Sequence, residues 1–485
     1  MTYISSLFIA ICSAFGLTWT LNRLLIPEAY RRGWVDIPSG RRIHLRAVPI
    51  VGGLTVGGGV LIGVVIFSLL RGDWFLTHRS DLWVWGAAYV SLMVLGLRDD
   101  IVGLGPTAKL AVQFSVTLLV LALSPSLQSS LRSFLPYFGQ WVWPLGVLWI
   151  VGVTNAVNLV DGLDGLAGGT VAAVSVSLAL LGLLSGGEQS VALPLAAVLF
   201  VSVLSFLRFN WNPAQIFLGD NGSLPLGFLI GVLSLCLVDA TAPVNSLLAL
   251  PVLLAFPIID MGLCSWRRVT RSFPIFKADR NHIHFRLQRL GLSVRETAVF
   301  LITLSLVFQF GGVAIRLVSV FTAPVIFATL STSLFCVLFL IGTSERGRIR
   351  EEVEARARDS DSIFSWQVSR ERRVIVARVQ LDPLFEAVLR EERHRADALI
   401  SAVKLLLRSV LSARDRVHMG DRDIRMMFFS RGTDYQEVGV VLELLKRKLG
   451  LFQEIYGVQY SMMALPVRVE VEEVYESCPQ LEGTA

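Results

Sequence analysis

"NAVNLVDGLDGLAGG" occupies residues 155–169 and lies between two long apolar runs. Asp161 and Asp164 therefore stand where one apolar segment ends and the next begins. Carboxylates are costly inside a bilayer, so acidic residues between such runs indicate the rim of a membrane. The stretch predicts a chain that crosses a membrane repeatedly and presents acidic groups at one edge.

The composition supports a membrane protein. The chain has 485 residues, of which 53% are hydrophobic and 17% are charged, with a mean hydropathy of +0.62. These values are too apolar for a soluble globular protein of this length. The net charge of +6 comes largely from short basic loops, which indicates membrane topology and no nucleic-acid partner. Five scattered cysteines without paired spacing indicate neither a disulfide framework nor a zinc site.

Apolar runs of about twenty residues recur along the first 340 residues, and each is long enough to cross a bilayer as a helix. The N-terminal run lacks a basic start and a small-residue cleavage site, so we interpret it as a span and not as a signal peptide. We predict eleven transmembrane helices, at 3–25, 51–70, 82–98, 108–124, 141–157, 167–184, 190–208, 223–238, 246–265, 296–316 and 321–342.

The loops between these spans alternate in charge. Basic residues concentrate after spans 1, 9 and 11, whereas the opposite loops, such as "SGGEQS" and "VDATAPVN", carry little charge. The positive-inside rule then predicts a multi-pass protein of the cell (inner) membrane with its N-terminus outside and its C-terminus in the cytoplasm. The acidic stretches "LGLRDD", "NLVDGLDG" and "FLGDNGS" follow spans 3, 5 and 7, so all of them fall on the cytoplasmic face.

The character of the chain changes after residue 344. Residues 1–344 form the predicted membrane domain, residues 345–369 a charged linker, and residues 370–485 a small cytoplasmic α/β domain. The order of predicted elements in that domain, β-α-β-α-β, suits a ferredoxin-like sandwich.

Five aspartates in three loops carry the chemistry. Asp99 and Asp100 end span 3, Asp161 and Asp164 follow span 5, and Asp220 follows span 7. A single acidic residue at a helix end is usually just solvated, but five on one face favour a shared site. Hard oxygen ligands of this kind suit Mg²⁺, which binds through one or two carboxylates together with substrate phosphates.

Neutral groups accompany the carboxylates. Gly219 and Gly222 would let the backbone approach a ligand closely, and a helix begins just after them. Free N–H groups at a helix N-terminus favour phosphate, although an ordinary turn with a helix cap explains the motif almost as well. Asn155 and Asn158 offer amide groups suited to a base or a sugar.

Basic residues complete the predicted site. Lys109 opens span 4 and would either neutralise a phosphate or extend along the bilayer to water. His44 lies in the first basic loop, and Arg280, His282 and His284 lie in the last large loop. A spacing of two residues does not place both histidines on one helix face, whereas a loop or a strand could aim both at one centre. Phosphate contact fits better than a zinc site, for which further ligands are lacking.

Together these residues indicate a membrane enzyme that uses Mg²⁺ to bring a soluble nucleotide to a lipid phosphate. The first rival is a transporter, but transporters place polar groups near the midplane and show repeats, whereas these cluster at one rim. The second rival is a sensory protein that the spans only anchor, which leaves the five aspartates unexplained.

The motifs "GLRDD", "NAVNLVDGLDGLAGG", "FLGDNGSLPLGF" and "DRNHIHFRLQRLG" occur in that order. The membrane domain resembles the polyprenyl-phosphate N-acetylhexosamine-1-phosphate transferases, which include the WecA, TagO and MraY types. The resemblance implies transfer of GlcNAc-1-phosphate from UDP-GlcNAc to undecaprenyl phosphate, with release of UMP and the start of a lipid-linked cell-envelope glycan. It also implies a homodimer as an alternative to a monomer.

The resemblance implies a role for each predicted site residue. Asp220 would be the principal ligand of Mg²⁺, for which Mn²⁺ is an alternative, with Asp99 and Asp100 beside the reacting phosphates as further ligands and catalytic groups. Asp99 would deprotonate or orient the lipid phosphate. The remaining predicted contacts are a catalytic His282 and, for substrate binding, Asn158, Asp161, Asp164, Phe217 (stacked on uracil), Lys109, His284, Arg280 and His44.

Three questions stay open. Direct in-line attack needs only positioning and metal, and a two-step route through an adduct on Asp99 or Asp100 is the alternative. The "HIH" pattern is similar to the WecA/TagO type, which takes UDP-GlcNAc, but Phe285 stands where that type has a further histidine. The alternative sugar donors are therefore another UDP-HexNAc, a deoxyhexose or UDP-MurNAc-pentapeptide. The C-terminal domain faintly resembles a degenerate diguanylate-cyclase-like domain. Its role would be scaffolding or dimerisation, and nucleotide sensing is the alternative.

Overall fold

A computed structural model describes residues 2–36, 47–238, 241–270 and 282–364 and four strands beyond them. The chain divides into two compact units, Met1–Gly342 and Thr343–Ala485. The sequence analysis placed this division after residue 344. His44 and Arg280 lie outside the described residues.

The first unit is helical. Its α-helices are α1 (Tyr3–Arg32), α2 (Gly52–Leu70), α3 (Gly72–Val102), α4 (Pro106–Leu123), α5 (Pro125–Arg132), α6 (Leu135–Phe138), α7 (Val142–Val160), α8 (Leu166–Gly186), α9 (Ala192–Asn210), α10 (Asp220–Cys236), α11 (Pro243–Leu253), α12 (Ala255–Thr270), α13 (Ile283–Arg289), α14 (Val294–Leu317) and α15 (Ala323–Phe364). A short antiparallel pair, β1 (Val35–Asp36) with β2 (Val48–Pro49), follows α1.

The described residues contain nine helices that are long and apolar enough to cross a membrane, or up to ten if the bent pair α11–α12 counts as one span. The chain is therefore a polytopic helical membrane protein. Ten of the eleven predicted spans each overlap one apolar helix, and the span at 246–265 covers both α11 and α12. The count differs because α10 has only 17 residues and because α11 and α12 are not one straight helix.

Helix α10 forms the centre of the bundle. Every residue from Asn221 to Leu235 is buried, and the helix packs against α2, α3 and α7. A helix that is apolar on all sides is stable only when protein surrounds it. Because its neighbours shield it from lipid, α10 does not need the length of a lipid-exposed span.

The predicted span at 246–265 is divided between two helices. Helices α11 and α12 meet at an angle of 69°. Pro257 stands in the first turn of α12, and proline has no N–H to bond the carbonyl four residues earlier, in α11. The break sets the direction of α12, which carries the Asp260 side chain that contacts His282.

The second unit contains a four-stranded antiparallel sheet. Its strands are β3 (Val374–Gln380), β4 (Arg416–Met419), β5 (Asp423–Phe429) and β6 (Glu470–Val474), in the order β4-β5-β3-β6. This antiparallel order is that of a ferredoxin-like sheet. The helices expected between the strands fall outside the described residues, so the α/β class stays a prediction. Part of the predicted linker is helical, since α15 continues to Phe364.

Candidate active site

The acidic motifs meet at one end of the helical bundle. Helices α3 and α7 end there, at Val102 and Val160, and α4 and α10 begin there, at Pro106 and Asp220. Hydrogen bonds between these helix ends join the predicted residues. The cluster thus lies at a rim of the bundle and not at its midplane, where a transporter would place it.

Lys109 is the cation at the centre of this cluster. Its Nζ donates to Asp99 Oδ2 at 2.7 Å and to Asp220 Oδ2 at 2.8 Å. The backbone N–H of Leu104 donates to the other Asp99 oxygen at 2.5 Å. The expectation that Lys109 merely extends to water is therefore wrong, because the side chain bridges two carboxylates from different helices.

Asn158 fixes the second oxygen of Asp220. Its Nδ2 donates to Asp220 Oδ1 at 2.8 Å and to Ser223 Oγ at 2.8 Å. Asn158 occupies the last turn of α7, so this contact ties α7 to the first turn of α10. Asp220 is thus held by an amide on one oxygen and by an ammonium on the other.

Asp100 caps the N-terminus of α10. Its Oδ1 accepts from the backbone N–H of Asp220 at 3.0 Å, and its Oδ2 accepts from the N–H of Asn221 at 3.0 Å and from Asn221 Nδ2 at 2.6 Å. A carboxylate in this position satisfies free N–H groups and favours the positive end of the helix dipole. Both oxygens of Asp100 thereby support the start of α10 and the position of Asp220; metal binding by Asp100 stays a prediction.

Two glycines allow this close approach. Gly219 has φ 71°, and a Cβ there would lie 2.7 Å from Asp100 Oδ2. A Cβ at Gly96 of α3 would collide with the backbone of Asp220. Any side chain at either position would push α10 away from α3 and separate Asp100 from the N–H groups that it accepts.

Asp161 lies in the loop between α7 and α8. Burial, together with the negative charges of Asp220 and Asp100, raises the pKa of Asp161 to about 8, against the effect of a hydrogen bond from the backbone of Gly219. The carboxyl group is therefore close to the other two acids. A cation bound among them would favour its ionised form.

Asp164 stabilises a neighbouring loop. Its Oδ2 accepts from Asn212 Nδ2 at 2.9 Å and from the backbone N–H of Ala214 at 3.0 Å. Asp164 thus connects the α7–α8 loop to the segment that precedes α10. The predicted contact of Asp164 with uridine stays a prediction.

Phe217 lies in that same segment and is partly exposed. Its backbone N–H donates to Pro49 of β2 at 2.8 Å, and its carbonyl accepts from Gly52 at 3.0 Å. These bonds fix the backbone beside α10. Stacking of this ring on uracil stays a prediction.

His282 and His284 stand at the start of α13. His282 is the residue immediately before the helix and His284 is in its first turn, so only the second histidine is helical. Their rings are stacked, with centroids 5.5 Å apart and planes at 10°. Within the described part of the chain, neither ring nitrogen of His284 has a hydrogen-bond partner, although the residue is 1% exposed. A Cβ at Gly162 would lie 2.9 Å from its Nε2, so His284 faces the α7–α8 loop.

The donor set fits a magnesium ion. Asp99 and Asp220 turn one oxygen each toward a shared cation, Lys109, and Asp161 is a further carboxylate nearby. Hard carboxylate oxygens that converge on one positive charge are the ligands that Mg²⁺ prefers. Asp99 and Asp220 would hold the ion.

Sequence reasoning missed three groups that the structure places at or near this site: Asn221, which binds Asp100; Ser223, which binds Asn158; and Asp260 of α12, which binds His282 at 2.8 Å. Asp260 did carry a signal, since an acidic residue in an apolar run is a functional candidate in a membrane protein. Asn155, by contrast, donates to Gln113 of α4 at 2.5 Å and to the backbone of its own helix.

Comparison with known proteins gives a consistent result. Residues 82–238 match the family described as "Glycosyl transferase family 4". This range includes both ends of the α3–α10 contact that forms the acidic cluster.

Three curated relatives are similar to the chain. A probable undecaprenyl-phosphate N-acetylglucosaminyl 1-phosphate transferase of Bacillus subtilis is 34% identical over 316 residues, which cover 64% of this chain and 83% of the relative. An undecaprenyl-phosphate alpha-N-acetylglucosaminyl 1-phosphate transferase of Escherichia coli K12 is 30% identical, over 57% of this chain and 75% of the relative. The enzyme of that name from Haemophilus influenzae is also 30% identical, over 61% and 82%.

Proposed function

The chain belongs to the polyprenyl-phosphate N-acetylhexosamine-1-phosphate transferases of the WecA/TagO type, and from this premise we propose how its rim of charged residues performs the transfer. The enzyme transfers GlcNAc-1-phosphate to undecaprenyl phosphate in the membrane. Two points go beyond the names of its relatives: UDP-GlcNAc is the donor, and UMP is the second product.

The reaction joins two anions. An oxygen of the lipid phosphate attacks the phosphorus that carries the sugar, and the bond from that phosphorus to the bridging oxygen breaks. UMP leaves with the bridging oxygen and the electron pair, and the lipid diphosphate sugar is formed without a covalent enzyme intermediate. Such a displacement depends on positioning and on cations that offset the mutual repulsion of the phosphates.

Mg²⁺, when bound, would stabilise the negative charge that develops on the departing phosphate. Asp99 and Asp220 would hold it, because their carboxylates share one cation. Asn158 orients Asp220 through the bond to Oδ1. Lys109 contacts both carboxylates. When substrate enters, its side chain would move so that the ammonium donates to a phosphate oxygen.

Asp100 is a positioning residue in this proposal. Its two oxygens hold the N-terminus of α10, so Asp220 stands at a fixed place opposite Asp99. The one-step route needs only positioning and cations, and a supporting role for Asp100 agrees with it. Asp99, which accepts from an ammonium and from a backbone N–H, orients the lipid phosphate.

The cluster would lie on the cytoplasmic face, where nucleotide sugars are available. Basic residues after spans 1, 9 and 11 favour that side. Eleven spans would then leave the N-terminus outside and the second unit inside, as a regulatory, scaffolding or dimerisation domain. His284 lies beside Gly162, and its ring nitrogens have no partner among the residues that the structure describes; it would form a hydrogen bond with the nucleotide.

The observation that carries the proposal is the Asp99–Lys109–Asp220 bridge. The test uses the purified full-length chain in detergent with Mg²⁺, undecaprenyl phosphate and a panel of UDP-sugars, and it measures UMP release. We expect release with UDP-GlcNAc that requires both the lipid and the metal. A folded protein that releases no UMP with any donor would overturn the proposal, and release with another UDP-HexNAc alone would replace the sugar.

A further inference from the structure

Asp260 is a buried carboxylate that no step described above uses. It lies in α12, six residues after the bend, and is 1% exposed. Its Oδ2 is 2.8 Å from His282 Nδ1, and its Oδ1 accepts from the backbone N–H of Ile283 at 2.8 Å. One carboxylate therefore holds both the ring of His282 and the first peptide of α13.

The same cluster could be read as a metal centre. Asp260, Cys264 and His282 each offer a ligand atom within 4.8 Å of the others. However, Arg267 Nη2 donates to Cys264 Sγ at 2.9 Å, and a guanidinium at the sulfur would repel a divalent cation. Asp260 and His282 already satisfy each other, so a hydrogen-bonded carboxylate–imidazole pair accounts for the geometry without an ion.

This pair reaches the acidic site through the second histidine. The ring of His282 stacks on that of His284, and His284 lies against Gly162, between Asp161 and Asp164. A change in the His282 ring would therefore shift a contact of the α7–α8 loop. The bend between α11 and α12 sets the direction of the helix that carries Asp260.

Nδ1 and Nε2 of His282 have different surroundings. Nδ1 is held by Asp260, whereas the polar contact recorded for Nε2 within the described residues is Cys264 Sγ at 3.7 Å. A carboxylate that accepts from Nδ1–H leaves Nε2 of a neutral ring without a proton, whereas a charged imidazolium carries an N–H on both nitrogens. Nε2–H is thus the group that could donate to an anionic oxygen.

We propose that Asp260 is a positioning residue for the transfer, holding His282 so that its Nε2–H donates to a phosphate oxygen of the nucleotide-sugar diphosphate. The inference rests on the proposed function, which supplies the diphosphate. Burial alone would lower the pKa of His282, but the contacts with Asp260 and Cys264 outweigh it and raise the pKa to about 9. The imidazole is therefore charged at neutral pH, which suits an anionic partner.

The test compares Asp260→Asn, His282→Gln and the double variant in the UMP-release assay. Loss of a supporting carboxylate typically lowers the activity of a site about 10–100-fold, and we expect a loss of this order in kcat for Asp260→Asn. If Asp260 acts through His282, the double variant should be no slower than His282→Gln alone. Asp81→Asn is the matched control, because it changes a buried carboxylate of α3 that is held by Ser124 and Ser126 and not by the histidines; it should keep kcat within about twofold of the wild type.

The outcomes separate the two proposals. A wild-type protein without UMP release contradicts the proposed function. Wild-type release together with an Asp260→Asn variant of unchanged kcat contradicts this inference alone, as does a double variant in which the two losses multiply. If Asp260→Asn does not fold, Asp260→Glu serves instead: it keeps the charge, and it should lower kcat in the wild-type background but not in the His282→Gln background.

Discussion

Helix α3 carries a buried carboxylate in its first half, Asp81, and a partly buried one in its last turn, Asp99, and they are held in different ways. Asp81 accepts from Ser124 Oγ, from Ser126 Oγ and from the backbone of Ser126, so its partners are neutral donors that begin α5. Asp99, about 27 Å farther along the helix at 1.5 Å per residue, shares the ammonium of Lys109 with Asp220. Neutral hydrogen-bond donors satisfy Asp81, whereas the ammonium of a flexible lysine side chain neutralises Asp99.

The difference separates stability from function. Hydroxyl and N–H donors that saturate a carboxylate leave no site for a ligand, and such a residue acts only on folding. A lysine side chain can move away when phosphate or metal arrives, because it is a flexible point charge. The comparison therefore predicts that one end of α3 decides turnover and the other decides stability.

The largest effect is expected at Asp220. Asp220→Asn removes one of the two carboxylate charges that share the Lys109 ammonium, and it keeps the size of the side chain. We expect kcat for UMP release to fall on the order of 10³-fold, while the melting temperature in detergent changes by only a few degrees. An Asp220→Asn protein with wild-type turnover would remove this residue from the metal site.

Lys109→Met tests the mobility of the cation. Without the ammonium, the two carboxylates should bind a divalent cation more tightly, since the competing charge is gone. Turnover should nevertheless fall, on the order of 10²-fold, because a phosphate loses its cationic partner. A variant with weaker metal binding would show instead that Lys109 organises the two carboxylates and does not compete with the metal.

Asp81→Ala probes the opposite end. It leaves Ser124 and Ser126 without their acceptor, at a cost of about 1–3 kcal/mol for buried donors that lose a partner. The melting temperature should drop, whereas kcat should stay within about twofold of the wild type. Lost turnover in a folded Asp81→Ala protein would break the division between the two ends.

The smallest effect concerns pH. The pKa of His282 is about 9 in the folded protein, against an ordinary value of 6.5. A raised pKa stabilises the folded state fully below pH 6.5, and this contribution is lost as pH rises through 9. Since the side chain is 7% exposed, the loss amounts to about 3 kcal/mol at most. Thermal unfolding between pH 6.5 and 9 should show this decline in the wild type and a smaller one in Asp260→Asn.

Much of the site could be predicted from the sequence. Apolar run lengths and loop charges placed Asp99, Asp100 and Asp220 on one face, and the structure joins them through hydrogen bonds. The role of Lys109 could not be predicted, because only the turn between α3 and α4 brings it back to Asp99. The capping role of Asp100 was equally hidden, since a pair of adjacent aspartates does not reveal which one faces a helix 120 positions later.

The direction of α12 was also beyond prediction. Pro257 signals a break, but the sequence does not reveal the angle at which the chain continues. Asp260 therefore counted as part of an apolar span, although it lies 2.8 Å from His282 in the folded protein.

The central claim is that Asp99 and Asp220, on different helices, share one cation site. Titration of the full-length protein with Mn²⁺, followed by electron paramagnetic resonance, tests it most directly. We predict one bound ion in the wild type, affinity at least about tenfold weaker in Asp99→Asn and in Asp220→Asn, and wild-type affinity in Asp81→Ala. Wild-type Mn²⁺ affinity in both the Asp99→Asn and the Asp220→Asn proteins would contradict the account.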